Sequence, residues 1–321
     1  MRVEVVDYHT GGEPFRIVTG GAPELEGTTI LERRRFALEQ LDHVRRLLVF
    51  EPRGHADMYG CHVVPPDDAG ADLGVVFFHN EGYSTACGHG TIALVTCALD
   101  EGVVEKREGV NRVVVDVPSG RLETWATVED GRVRSVRFRN VPSFVWARGV
   151  EVAGRVVDVA FAGAFYASLE ERVEPTELPR LIALGRELKA ALEAEHEIVH
   201  PLEPELRDVY GVIFWQEEGS EPLTQRNVAV FADGEVDRSP CGSGTSARLA
   251  LLDDEGRLPR GADLRHRSIV GSEFTGRVVG HADVAGRPAV ITEVEGTAYR
   301  TGHATFTLDP DDPLGEGFLL R

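Results

Sequence analysis

Lysine is almost missing from this 321-residue chain, standing only at positions 106 and 189, in neither a glycine-rich nor an apolar stretch. A pyridoxal phosphate Schiff base therefore has no good anchor, and any carbanion chemistry is expected to proceed without a cofactor. Cysteine is sparse. The four present show neither CxxC nor Cys/His spacing, which yields no disulfide framework and no metal site. No apolar run is long enough to span a bilayer. The chain opens on a strand-like Val3-Glu4-Val5-Val6 rather than a basic and apolar leader, so a reducing cytoplasm is the expected location. Basic charge is short as well. Thirty-four Lys and Arg against 53 Asp and Glu leave a net charge of −19, which argues against nucleic acid as a partner.

What is present is a repeat. Cys87 to Gly102 (CGHGTIALVTCALDEG), moved 154 residues downstream, falls on Cys241 to Gly256 (CGSGTSARLALLDDEG), with eight of sixteen positions identical. Each copy starts with cysteine, passes through glycines, and becomes a helix-compatible run closed by Asp-Glu-Gly, with glycine marking the helix end. In the first copy Ile92, Ala93, Leu94, Val95, Cys97, Ala98 and Leu99 leave almost no polar face, so that helix should be buried on all sides. A buried helix start needs partners for its N–H groups, and flanking glycines let an anion such as a substrate carboxylate approach. Its partial positive charge is expected to lower an adjacent thiol from the usual value of about 8.5. Cys87 and Cys241 are therefore candidate bases or nucleophiles, whereas Cys61 and Cys97 read as small buried hydrophobes.

Two copies of one unit commonly pack about a pseudo-twofold axis. A small carboxylic acid between two such helix starts would have its α-carbon between two sulfurs, one thiolate removing the α-proton and the opposite thiol returning a proton.

Length and repeat offset both suggest two domains, with a change near residue 125. Residues 3 to 20 alternate like strands about a turn at Gly11-Gly12, and Phe36, Leu38, Leu41, Val44 and Leu48 predict one amphipathic helix. The polar stretch Glu51 to Met58 reads as a cleft lining or a solvated loop. Strands are expected at Leu73 to Phe78, Val113 to Val117, Leu122 to Val128 and Val133 to Phe138, the last two joined by a hairpin turn at Asp130-Gly131. Further strands are expected at Val156 to Phe161, Tyr210 to Trp215 and Asn227 to Phe231. Leu181, Leu184, Leu188 and Leu192 predict a second long helix, placed before Cys241 much as the first is before Cys87. The segment from Ser268 to Phe318 reads as strand and turn returning to the first domain.

His196-Glu197-Ile198-Val199-His200 matches the HExxH zinc pattern in form only. Zinc binding there needs both histidines on one helix face, and Pro201 disfavours helix at His200. Asp237, four residues before Cys241, is either a receiver for a substrate ammonium or a loop and cap aspartate. His89 either orients substrate or hydrogen-bonds structurally.

Ala86-Cys87-Gly88-His89-Gly90 and Asp237-Arg238-Ser239-Pro240-Cys241-Gly242-Ser243-Gly244 together resemble the proline racemase family. The likeness extends over nearly the whole chain, through Asp7 to Pro14, Glu51 to Met58, His79 to Gly90 and the ending Asp311 to Arg321. It implies an α/β (α+β) fold of two pseudo-symmetric domains, each a mixed curled sheet around a central buried helix, like diaminopimelate epimerase. Residues 1–125 with about 300–321 would form the first domain and 126–299 the second. It further implies a homodimer, acid/base roles for Cys87 and Cys241, carboxylate binding at Gly88, His89, Gly242 and Ser243, and His89 and Asp237 near the ring nitrogen.

Within such a family the implied activity is cofactor-independent racemisation or 2-epimerisation of proline or hydroxyproline. Dehydration of trans-3-hydroxy-L-proline is the alternative. Dehydratases of the family typically carry threonine at the second position, so Cys241 argues for two-base inversion. Gly163-Ala164-Phe165-Tyr166 and the C-terminal segment resemble the racemase and dehydratase branches more than the hydroxyproline epimerases. Ala86 replaces a usual methionine in the pocket wall. A third reading, from another class, is a two-domain binding or thiol redox protein in which the two cysteines pair reversibly.

Overall fold

A computed structural model describes residues 1–320. In chain order its first elements are β1 Arg2–Thr10, β2 Glu13–Gly20, α1 Ile30–Gln40, α2 Asp42–Val49, β3 Tyr59–Val64, β4 Leu73–His79 and α3 Gly88–Asp100. Next come β5 Gly109–Val117, β6 Gly120–Glu129, β7 Arg132–Arg139, β8 Phe144–Val152, β9 Arg155–Phe161 and β10 Phe165–Glu170. The remainder is α4 Leu178–Glu195, β11 Val209–Ser220, β12 Leu223–Phe231, β13 Glu235–Asp237, α5 Gly242–Asp254, β14 Leu264–Ser268, β15 Glu273–Val284, β16 Arg287–Gly296 and β17 Ala298–Thr307. Two compact units result, Met1–Val136 with the segment from Thr297, and Arg137–Gly296.

In the first unit the strands lie in the order β17, β1, β2, β3, β4, β5, β6. From β1 onward the pairings run antiparallel, parallel, antiparallel, parallel, antiparallel. The second unit repeats that series through β9, β10, β11, β12, β14 and β15. Helices interrupt at matching places, α1 and α2 between β2 and β3, α4 between β10 and β11, α3 between β4 and β5, and α5 between β12 and β14. The duplication thus extends from the motif to the topology.

The motif helices occupy the centres. Every residue of α3 from Gly88 to Leu99 is buried, against β1, β2, β3, β6 and β17. At about 1.5–3 kcal/mol for each large aliphatic side chain, burial of Ile92, Leu94, Val95 and Leu99 more than offsets the loss of a solvated face. In the second unit α5 is buried from Gly242 to Leu252, against β8, β9, β10, β15 and β16. Both helices stop as their sequences predict, with Gly102 and Gly256 at φ +72° and +65°.

Outside the sheets, α4 buries Leu181, Leu184, Leu188 and Leu192 on one stripe, against β11 and β12. The stripe from Phe36 to Leu48 is not one helix. It breaks at Leu41, which leaves helical geometry at φ −125° and ψ 18°, and Leu38 is exposed. Thr29 and Glu32 form a capping box that starts α1, and α2 begins afresh at Asp42, whose carboxylate pairs with Arg45. Asp130 and Gly131, between β6 and β7, both take the positive φ expected of a tight hairpin turn.

Candidate active site

Cys87 is the N-cap of α3, and its sulfur accepts the Gly90 N–H at 3.3 Å. The spacing explains the glycine. A Cβ at position 90 would lie 2.6 Å from Phe15 Cζ and 2.7 Å from Cys87 Sγ, and one at Gly244 would lie 2.6 Å from Ile213 Cδ1 and 2.9 Å from Cys241 Sγ. The second glycine of each motif leaves room for its sulfur and for a core side chain, Phe15 in the first copy and Ile213 in the second.

The shared threonine has an equally local role. Thr91 donates its N–H and its hydroxyl to the Cys87 carbonyl at 3.0 and 2.8 Å, and Thr245 does the same for Cys241 at 2.7 and 2.8 Å. Helix geometry leaves the first-turn N–H groups of Gly88, Gly242 and Ser243 without an i−4 carbonyl, so an anion is welcome at each start.

Beyond these features the two copies differ. His89 lies against its own cysteine, with Nε2 3.4 Å and Nδ1 3.7 Å from Cys87 Sγ. Phe15 and Tyr59 hold the imidazole edge-on at centroid distances of 5.7 and 5.0 Å. The hydrogen-bonding role expected for His89 left its partner open, and here that partner is the Cys87 thiol. In the second unit Cys241 itself is strained, at φ 60° and ψ 101°, whereas Cys87 is extended at φ −153°. Such a backbone costs roughly 1–3 kcal/mol and needs surroundings that over-determine it. Ser239 Oγ accepts the Cys241 N–H at 3.1 Å, and Asp237 Oδ1 in turn accepts the Ser239 N–H at 2.8 Å.

Asp237, Gly242, Ser243 and Cys241 are thus gathered in the second unit, and Cys87, Gly88 and His89 in the first. Tyr166 on β10 joins the second group. It shares a 2.7 Å hydrogen bond with Ser243 Oγ, and its oxygen accepts from the Cys241 thiol at 3.9 Å. A partner 75 residues from its cysteine leaves no local signal; the stretch Gly163 to Tyr166 stood out in the sequence only as a mark of branch.

One expectation is reversed. Burial pushes the Cys241 thiol well up rather than down, and the Asp237 charge adds to this. The Gly244 N–H and the hydroxyls of Tyr166 and Ser243 oppose it without prevailing. Cys61 and Cys97 are buried too, and burial lifts Cys97 to about 12, as suits inert thiols.

The HExxH segment is not helical at all, since α4 ends at Glu195 and His196 is already extended at φ −134°. His200 packs instead on Phe161 and Phe144. Among the described residues no group of three or more His, Cys, Asp or Glu is placed to hold a metal ion, and no helix is long and apolar enough to cross a membrane. A cavity of about 600 Å³ in the first unit lies at the far end of α3 from Cys87, lined by His62, Leu94, Cys97 and Glu101, and none of Cys87, Gly88, His89 and Gly90 lines it.

A buried helix inside a mixed curled sheet, made twice and led each time by cysteine, defines the fold class of the diaminopimelate-epimerase-like enzymes. The proline racemase family model matches residues 5–319, and the chain belongs to that family. It is 47% identical, over 99% of its length and 98% of the relative's, to a 3-hydroxyproline 2-epimerase of Burkholderia multivorans. It is 44% identical to a trans-3-hydroxy-L-proline dehydratase of Bacillus thuringiensis subsp. konkukian, over 98% of this chain and 97% of that one. A crystal structure of a hydroxyproline epimerase from Agrobacterium vitis, with bound trans-4-OH-L-proline, superposes with a TM-score of 0.93 at 32% identity, covering 99% of this chain and 96% of the other.

Proposed function

We propose that this protein inverts the α-carbon of a cyclic imino acid, proline or a hydroxyproline, using Cys87 and Cys241 as the two acid/base groups and no cofactor. The observation that carries the reading is the pair of buried helix starts, each with a cysteine, a glycine cleared for its sulfur, and first-turn N–H groups suited to a carboxylate. Gly88, His89, Gly242 and Ser243 would hold the carboxylate, and Asp237 with His89 would face the ring nitrogen. Stabilising the enediolate that develops on the carboxylate matters most, because it lowers the cost of removing the α-proton.

The environments divide the labour. Cys241, kept neutral by burial and by Asp237, starts as the acid. Cys87, whose sulfur accepts a helix-start N–H and lies against His89, starts as the base. One proton leaves the substrate to Cys87 and another arrives from Cys241 on the opposite face, so the reaction balances without an outside reagent. The free thiols suit a reducing compartment such as the cytoplasm, and size-exclusion chromatography with light scattering tests the homodimer the reading includes.

Dehydration is the second reading, favoured by relatives named trans-3-hydroxy-L-proline dehydratase. It needs α-proton removal by one thiol followed by loss of the C3 hydroxyl, and it leaves Cys241 without a required proton delivery. Proton NMR in D2O with L-proline, trans-4-hydroxy-L-proline and trans-3-hydroxy-L-proline separates the two. Loss of the α-proton with appearance of the opposite configuration, abolished in both Cys87→Ser and Cys241→Ser, supports inversion. A dehydrated product from the 3-hydroxy compound that survives Cys241→Ser replaces it, and a protein inert toward all three overturns both.

A further inference from the structure

Beneath Cys241, where α5 meets its sheet, lies a polar layer that the proposed reaction does not use. Arg248 is 1% exposed, and Gln225, Asn227 and His266 are 0% exposed. The connections of Arg248, Gln225 and His266 nearly close a ring, and Asn227 stands two residues from Gln225 on the same face of β12. Thr245 Oγ1 and His266 Nδ1 are 2.8 Å apart, Gln225 is the register partner of His266 across β12 and β14, and Gln225 Oε1 accepts from Arg248 Nε at 3.3 Å. Arg248 returns to Thr245 along α5, where residues three apart share a face. Its guanidinium also donates to Ser168 Oγ at 3.1 Å and stacks 4.1 Å from the Trp215 ring centroid. Among the described residues no carboxylate pairs with it.

The protons are assignable from the network. Thr245 has one hydroxyl hydrogen, and two backbone carbonyls lie within its reach, Cys241 at 2.8 Å and Pro240 at 3.3 Å; with the hydrogen on a carbonyl, His266 Nδ1 is the donor to Thr245 and Nε2 of the neutral ring is an acceptor. Four buried atoms then lack partners: Arg248 Nη2 and Gln225 Nε2 as donors, His266 Nε2 and Asn227 Oδ1 as acceptors. Two donors and two acceptors are the complement of a water molecule. An anion would meet two acceptors and be repelled by both.

We infer that this ring binds an enclosed water, and that Arg248 and His266, acting through Thr245, are positioning residues that hold the strained backbone of Cys241. The inference rests on the two-thiol reaction proposed above. It accounts for a difference between the copies. Cys87 and Cys241 receive the same pair of threonine bonds, but the copy with positive φ at cysteine has its threonine backed by a buried imidazole.

The test is directional. Each thiol serves one enantiomer, so α-proton wash-out into D2O is followed separately from the L and D substrates, and Cys241→Ser identifies the enantiomer that Cys241 serves. In His266→Phe, wash-out from that enantiomer is expected to fall about tenfold in kcat with KM nearly unchanged, while wash-out from the other stays near wild type. His266→Asn, which places an N–H where Nδ1 stood, recovers most of the loss. A folded His266→Phe that keeps both rates, or slows both alike, overturns the proposal. Should that variant not fold, Arg248→Met carries the same comparison, since an apolar side chain of similar length leaves no buried charge unpaired. If the parent exchanges no substrate, the two-thiol reading fails by itself. The ring is then read from iodoacetamide labelling, which it predicts to change at Cys241 and not at Cys87 in His266→Phe, equal labelling overturning it. A crystal structure with a water bridging Arg248 Nη2 and His266 Nε2 supports the enclosed site, and bromide or apolar closure there refutes it.

Discussion

Replacing Gly90 by alanine puts the central geometric claim at risk. The new Cβ would lie 2.7 Å from Cys87 Sγ and 2.6 Å from Phe15 Cζ, where 3.4 Å begins ordinary contact, so the sulfur must yield about 0.7 Å (3.4 less 2.7) and the ring at least as much. Overpacking of this kind costs about 1–3 kcal/mol, and alanine returns roughly 1 kcal/mol over glycine within a helix, leaving a net loss of about 0–2 kcal/mol. At roughly 2–4 °C per kcal/mol for a unit of this size, the melting temperature should fall by no more than about 8 °C. Turnover should suffer far more. A reacting atom misplaced by nearly 1 Å can cost about a hundredfold in rate, equivalent to roughly 2.7 kcal/mol at the transition state. The assay is α-proton exchange in D2O for each enantiomer beside a thermal melt, on Gly90→Ala and Gly244→Ala. Each variant should impair chiefly the enantiomer served by its own cysteine. Exchange within about threefold of wild type in a folded Gly90→Ala would refute the view that this glycine exists to place the sulfur.

The other predictions concern pH. Burial holds His62 down at about 4 and His266 at about 3, so the unfolded chain, titrating near 6.5, binds protons that the folded one refuses. Stability is full above about pH 6.5 and falls as the pH drops toward the folded values. At pH 5 the loss is about 2 kcal/mol for each histidine (1.5 units at roughly 1.4 kcal/mol), and urea titrations at pH 7.5 and 5 should show about half of it removed by His62→Phe. At the alkaline end, folded Cys97 keeps its proton to about 12 and buried Cys241 is also pushed up, while the unfolded thiols ionise near 9. Stability should therefore decline above about pH 9 by up to roughly 1.4 kcal/mol per pH unit for each, and Cys97→Ala should make that decline shallower; an unchanged slope would refute the assignment.

The legible part of this protein was the part fixed by local sterics. A glycine that must clear a sulfur, a threonine that must cap a carbonyl, and a glycine that must end a helix all act within a few residues. Each therefore reappears at the same offset in both copies, and the duplicated order of strands follows. Leu41 shows where apolar periodicity runs out, because a break of a single residue barely alters the stripe; the capping signal Thr29-x-x-Glu32 was present and would have marked where α1 begins. Tyr166 was out of reach for another reason. Its contact with Cys241 depends on which strand the sheet places beside α5, and no spacing within the chain encodes that. The direction of the Cys241 shift was misread because helix-start electrostatics act alongside desolvation, and a fully enclosed thiol with an aspartate beside it is governed by the latter.

Two unlike thiol environments within one repeated motif have a consequence for how the proposed reaction runs. A two-thiol inversion needs one proton shared between two sulfurs, and each direction consumes the form that the other produces. Unequal environments cannot bias the equilibrium between enantiomers, which belongs to the substrate alone, but they do set which form the free enzyme holds. In the proposed reaction, with Cys241 kept neutral by burial and by Asp237, the resting form would be ready for the enantiomer whose α-proton faces Cys87. The opposite enantiomer must wait for the proton to move from Cys241 to Cys87. Tyr166, whose oxygen already accepts from the Cys241 thiol and which shares a hydrogen bond with Ser243, is well placed to assist that transfer. The strain at Cys241 and its supports thus fall on the side of the reaction where a proton must be both held and released, and there a fixed sulfur matters most.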